Sequence, residues 1–174
     1  QTMYYSIQQI FYIFFEPILA TKILFIYFSL ISFMGMFLLL KKSFNYNFNI
    51  SLLGATLFLF NGFFIYRFII GHLGYVNFSL VPLFCFFFIS SLKTRNYYLS
   101  KIYLISSAFV LSSCIYSGAS SFIFMITLSI FLILLIFNFK FQNFKSIIGR
   151  LLISLIISIT ISLSKISSAY FFLE

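Results

Sequence analysis

The 174-residue chain is 63% hydrophobic and only 7% charged, with eleven Lys and Arg against two acids, Glu16 and Glu174, for a formal net charge of +9. An ordinary soluble domain carries about 25% charged residues, so these proportions exclude one, and the basic excess is too dilute for a nucleic-acid surface. With no Asp and a single His, a carboxylate dyad, a two-metal site, a Ser-His-Asp triad and an EF-hand cannot be housed within these residues. Neither the P-loop nor the dinucleotide-binding glycine motif occurs, and no metal or cofactor is expected.

What remains is an integral membrane protein. A bilayer core takes about 20 apolar residues per helix, and the charged positions cut the chain into runs of that order. Residues 1–22 mix Gln8, Gln9, Glu16, Pro17 and Lys22 with Tyr4, Tyr5, Ile10, Phe11, Phe14 and Phe15, a pattern that predicts a short helix lying in the outer interface, ended or kinked at Pro17. Eighteen uncharged residues from Ile23 to Leu40 predict a first span. After the polar stretch Lys41–Asn49, a second span is expected over Ile50–Tyr66. A third is expected over Tyr75–Leu92, with a basic loop from Lys93 to Lys101. The thirty-eight uncharged residues Ile102–Phe139 exceed one span, and Ser117-Gly118-Ala119-Ser120 near their middle reads as the turn of a helical hairpin. A loop Lys140–Arg150 then leads to a sixth, shorter span, Leu151–Ser164.

The expected fold is therefore all-α: a polytopic transmembrane bundle of about six spans plus an N-terminal interfacial helix, in one domain covering residues 1–174. A transmembrane barrel would alternate apolar and polar positions, whereas these runs are apolar throughout, and at this length only a helix satisfies its own backbone in lipid. Six spans assign Lys41, Lys42, Lys93, Arg95, Lys101, Lys140, Lys145 and Arg150 to one side and only Lys22, Arg67 and Lys165 to the other. The positive-inside rule makes the richer side cytoplasmic. Both Cys85 and Cys114 lie inside apolar runs and are expected to be packing residues. The sequons at Asn49 and Asn77 are expected to stay unmodified. The opening at Gln1 and the stop at Glu174, just after an apolar stretch, read as a chain cut at both ends.

On that orientation the rare ionisable groups Glu16, Lys22, Arg67, His72, Lys165 and Glu174 collect on the extracytoplasmic side. Ionisable groups near a membrane are costly, and each is a functional candidate by default. The densest stretch is Tyr66-Arg67-Phe68-Ile69-Ile70-Gly71-His72-Leu73-Gly74-Tyr75. Gly71 and Gly74 would let backbone turn close to a ligand. Arg67 could grip a phosphate bidentately, or snorkel to headgroups; His72 could donate to a ligand or bind a metal, or be solvated. Lys165 could meet a lipid phosphate or cap a helix C-terminus. The serine-rich stretches, including Ser112-Ser113 and Ser154–Ser168, are expected to mediate close helix packing.

The succession F-N-G-F-F-I-Y-R, G-H-L-G-Y and N-F-S-L-V-P-L around the second and third runs, with Y-S-G-A-S-S and S-K-I-S-S-A-Y further on, resembles the bacterial GT-C type membrane glycosyltransferases and related uncharacterised membrane proteins. That resemblance implies a bacterial plasma membrane as the location and transfer of a sugar from a polyprenyl-phosphate carrier on its outer side, with membrane lipid and the polyprenyl-phosphate-linked sugar as partners and no nucleic acid. It also implies a substrate-binding set of Arg67, His72, Tyr75 and Lys165, with Arg67 and Lys165 suited to the carrier's phosphate. The family's acidic group sits in an early outer loop with no counterpart here, so no catalytic residue is assigned. The competing expectation is a non-enzymatic membrane protein: a transporter or flippase of lipid-linked saccharide, or a structural subunit of a membrane complex. Nothing in the sequence specifies the oligomeric state.

Overall fold

A computed structural model describes residues 7–71, 73–116 and 144–171, and from 117–143 only Ile126, Leu128, Ser129, Ile130 and Leu132. Among these residues every regular element is helical. Four helical stretches are long and apolar enough to cross a membrane: Pro17–Ser43, Val76–Lys93, Tyr97–Tyr116 and Phe144–Ile161.

Helix α1 (Ile7–Phe14) is the short N-terminal helix expected from the mixed composition. It folds back on α2 (Pro17–Leu38), with the Phe11 and Tyr27 ring centroids 5.6 Å apart and Tyr12 Oη 3.0 Å from Thr21 Oγ1. Pro17 starts α2 rather than merely ending α1. It occupies the first turn, where a missing N–H costs nothing and a fixed φ is already helical. The first crossing helix therefore begins six residues earlier than Ile23. At its far end the helix widens into a π turn, Leu39–Ser43, closed by Phe44 N–H donating to Leu39 O at 3.1 Å. Asn45, in the left-handed region at φ 57°, turns the chain out of it, a conformation that asparagine tolerates better than most residues.

The expected second span is corrected by the structure. Residues 50–66 do not form one helix but divide between α3 (Phe48–Leu59) and α4 (Gly62–Ile69). At about 1.5 Å per residue, the 12 residues of α3 reach about 18 Å, short of the roughly 30 Å hydrocarbon core. Asn61 makes the break: its side-chain amide donates to Phe58 O and its N–H reaches the same carbonyl at 3.3 Å, competing with helical continuation. Gly71, at φ +73°, then lies just past the end of α4.

The third run matches its expected limits closely but starts as a 3-10 helix, Leu73–Leu80, before α5 (Val81–Lys93). Pro82 lies in the first turn of α5; lacking an N–H, it cannot bond back to Phe78, so an α-helix cannot be carried upstream intact. Helix α5 is the centre of the bundle, burying Phe84, Cys85, Phe86, Phe88, Ile89 and Ser91. The basic loop shrinks to residues 94–96, because α6 (Tyr97–Tyr116) begins at once. Asn96 Oδ1 accepts from the N–H groups of Tyr98 and Leu99 at 3.0 and 3.3 Å, satisfying donors that a helix start leaves open.

Helix α7 (Phe144–Ile161) begins seven residues before Leu151, so Lys145 and Arg150 belong to the helix and not to a loop. A single turn residue, Ser162, separates it from α8 (Leu163–Phe171). The expected turn at Ser117–Ser120 lies outside the described residues, as does most of the second arm of the expected hairpin.

Small and polar residues at the helix contacts let backbones approach closely, as expected in lipid, and they share the interior with large side chains such as Phe28, Phe84 and Phe88. Along α2 the buried positions are Ala20, Leu24, Phe28, Ser32 and Gly35, a stripe of threes and fours, while Ile18, Ile26, Leu30 and Met34 stay exposed. Gly35 lets α2 press against α5: a Cβ there would stand 2.8 Å from Leu83 N. Between α6 and α7 the hydroxyls of Ser107 and Ser154, both fully buried, meet at 3.1 Å.

Candidate functional site

Side-chain bonds fix which helix ends lie together. At one end Lys93 donates to Ser43 O, and Arg150 donates to Ser91 O and, at 2.8 Å, to Ser100 Oγ. Ser100 Oγ in turn donates to Ser91 O at 2.8 Å. The final turns of α2 and α5 and the first turns of α6 and α7 thus converge, and cations occupy the carbonyl-rich C-terminal ends where the helix dipole favours them. Lys41, Lys42, Arg95, Lys101 and Lys145 are exposed around this knot, with Lys101 Nζ held 4.3 Å from the centre of the Tyr97 ring. Seven of the eight cations assigned to the richer side lie here; Lys140 is outside the described residues.

The opposite end holds Lys165. Its Nζ donates to Tyr116 O at the end of α6, and Tyr116 Oη donates to Ile161 O at 2.8 Å and pairs with Ser164 Oγ at 3.0 Å. Lys165 therefore caps a helix C-terminus, though that of α6 rather than its own. Burial lowers its pKa from the usual 10.5, because a charged ammonium is harder to hold away from water.

Arg67 lies in the last turn of α4, which packs on the 3-10 segment leading into α5. Its guanidinium carbon is 5.4 Å from the centre of the Phe63 ring, within range of a cation–π contact. Phe63 meets Phe78 edge-on at 5.0 Å, and Phe78 stacks on Phe58 at 5.6 Å. The three rings join α3 and α4 across their break to the 3-10 segment, with Arg67 at the edge. Beside Phe78 in sequence, Asn77 and Ser79 are 3% and 1% exposed, and neither Asn77 Nδ2 nor Ser79 Oγ has a hydrogen-bond partner.

Of the four residues expected to bind substrate, Arg67 and Lys165 lie toward the same end of the bundle but on different helices, α4 and α8. His72 is outside the described residues, and for Tyr75 only the backbone, within the 3-10 segment, is described. Asn77 and Ser79 were legible only as two members of a sequon; their isolation in apolar sequence was the available signal. No group of His, Cys, Asp and Glu suited to a metal is found among the described residues. No protein-family model, curated protein or solved structure matches the chain.

Proposed function

We propose that this chain is the membrane core of a glycosyltransferase of the GT-C type, which takes its sugar from a polyprenyl-phosphate carrier at the extracytoplasmic face of a bacterial plasma membrane. The observation that carries this reading is the Arg67 guanidinium set on an aromatic cluster beside buried, unpartnered Asn77, at the end of the bundle away from the cationic knot. A lipid phosphate needs fixed positive charge in a site of reduced dielectric, and an aromatic surface beside it suits the prenyl chain or the face of a sugar. Lys165 supplies a second cation toward that end. The count of about six spans belongs to the same proposal: it requires α3 and α4 together to serve as the second, and the run Ile102–Phe139 to supply two.

A second reading, a flippase of lipid-linked saccharide, is favoured by the break between α3 and α4, since discontinuous helices mark the binding sites of many transporters. One experiment separates the two. The full-length protein is reconstituted into phosphatidylcholine vesicles with a radiolabelled polyprenyl-phosphate-linked sugar, and both sugar release to an acceptor extract and carrier movement between leaflets are followed. Consumption that falls at least tenfold in Arg67→Ala supports transfer. Movement without consumption moves the assignment to the flippase, and neither activity refutes both.

A further inference from the structure

We infer that Asn77 and Ser79 form a subsite for the hydroxyl groups of a glycosyl unit, adjoining the place where Arg67 would hold the carrier's phosphate. This rests on the proposed lipid-linked ligand and adds which part of that ligand each residue takes.

The first support is the cost of the arrangement. A buried donor without a partner is penalised by its full desolvation, and a bilayer-embedded bundle has little water with which to repair the loss. Ser29 and Ser43 also carry unpartnered hydroxyls, but each belongs to a helix, as Ser79 does, and a serine hydroxyl can rotate onto the carbonyl one turn behind it; Ser79 joins the subsite by its position beside Phe78, not by this cost. A primary amide has two N–H bonds to satisfy, and a nearby carbonyl such as the one Asn61 uses takes only one of them. Asn77 is therefore the residue that the fold alone does not explain.

Position is the second support. Asn77 and Ser79 flank Phe78, the ring that both Phe58 and Phe63 touch, and the Arg67 guanidinium is 5.4 Å from the centre of Phe63. Charge, aromatic carbon and neutral donors are thus arrayed from α4 into the 3-10 segment. Neutral donors buried this deeply suit uncharged hydroxyls rather than a phosphate, whose charge would need a cation beside it. The phosphate is better served at half-buried Arg67. An aromatic surface between the two suits the apolar face of a pyranose.

The test measures binding to the protein in phosphatidylcholine nanodiscs. The probes are a short-chain polyprenyl phosphate, a panel of its hexosyl, N-acetylhexosaminyl and pentosyl esters, the corresponding free sugars, and inorganic phosphate. At least one ester is expected to bind on the order of tenfold more tightly than the bare lipid phosphate, within the range for satisfying one otherwise unpaired buried group. Asn77→Leu and the smaller change Ser79→Ala should each remove most of that preference while leaving the bare lipid phosphate bound as before; Arg67→Gln should weaken both. Asn77→Leu should also raise the melting temperature of the empty protein, since it deletes an unsatisfied buried group. Ser79→Ala guards against misfolding of the larger substitution. A preference untouched by both variants, or no preference for any ester, overturns the subsite, as does a free sugar bound as tightly as its lipid ester. Preference without turnover or translocation would instead refute the proposed function and leave the subsite standing.

Discussion

Replacing Gly35 by Ala tests the central contact of the bundle. The new Cβ would stand 2.8 Å from Leu83 N, 3.0 Å from Leu83 Cβ and 3.1 Å from Leu83 Cα, whereas carbon atoms rest at about 3.5 to 4.0 Å. Two of these three atoms are backbone, so no rotamer change relieves the clash, and α2 must withdraw from α5 by about half an ångström or more. Overpacking of this kind costs about 1–3 kcal/mol. At roughly 2–4 °C per kcal/mol for a chain of this size, the helical circular-dichroism melt in phosphatidylcholine nanodiscs should fall by about 2–12 °C. Gly149→Ala is the matched control: it lies in α7 with nothing within 4 Å of the added carbon, and alanine is favoured over glycine inside a helix by about 1 kcal/mol. Opposite signs are expected from the same substitution. If Gly35→Ala melts at or above the parent temperature, the close approach of α2 and α5 is wrong.

Three further outcomes are expected. Asn96→Ala should cost about 1 kcal/mol by removing the acceptor for the first N–H groups of α6, read as a lower melting temperature, whereas Asn96→Asp should retain most of it. Arg150→Met keeps the stem but strips the donors from Ser91 O and Ser100 Oγ; hydrogen bonds from a charged group are worth about 1.5–3 kcal/mol, so urea unfolding in mixed micelles should shift by that order, and an unchanged midpoint would show the knot to be ornamental. Because burial lowers the pKa of Lys165, the unfolded chain binds the proton more readily than the folded one. Stability should therefore rise with pH through the window below 10.5, and in Lys165→Met that slope should be reduced.

The apolar runs and the division of the charges were readable because both follow from one strong term, the cost of placing charge in hydrocarbon. Lys93 and Arg150 could be put at the same bundle end before any coordinates because neither can sit at the midplane. Helix boundaries within a run obey weaker rules. Nothing in the hydropathy of residues 50–66 distinguishes one span from two helices; the distinction rests on a single side chain, Asn61, bonding the carbonyl of Phe58. The early start of α2 at Pro17 and of α7 at Phe144 went unread for a related reason: apolarity was used to place the ends, whereas a helix extends into the interface for as long as its backbone is satisfied. Asn77 was hidden differently. A sequence displays an amide in an apolar stretch but not whether a neighbour satisfies it, and that single fact separates a packing residue from a candidate ligand contact.

The break between α3 and α4 and the 3-10 stretch lie against one another, and their adjacency has a physical reason. Helices α2, α6 and α7 pair their backbone groups internally and can face lipid along much of their length, as the exposed Leu30, Phe109 and Ile156 do. The break between α3 and α4 and the 3-10 stretch after Gly71 cannot; backbone of that kind survives at membrane depth only where protein or a polar cavity covers it. Here Phe78 packs on Phe58 and Phe63 from either side of the break, and the 3-10 segment is covered in turn by α2 and α4. Two irregularities that would each be expensive alone therefore shield one another. Straightening the chain through Asn61 or Pro82 would lengthen two ordinary helices but draw apart the elements that carry Arg67, Asn77 and Ser79. That coupling ties these irregular stretches to the place where, among the described residues, charge, aromatic surface and unsatisfied donors coincide.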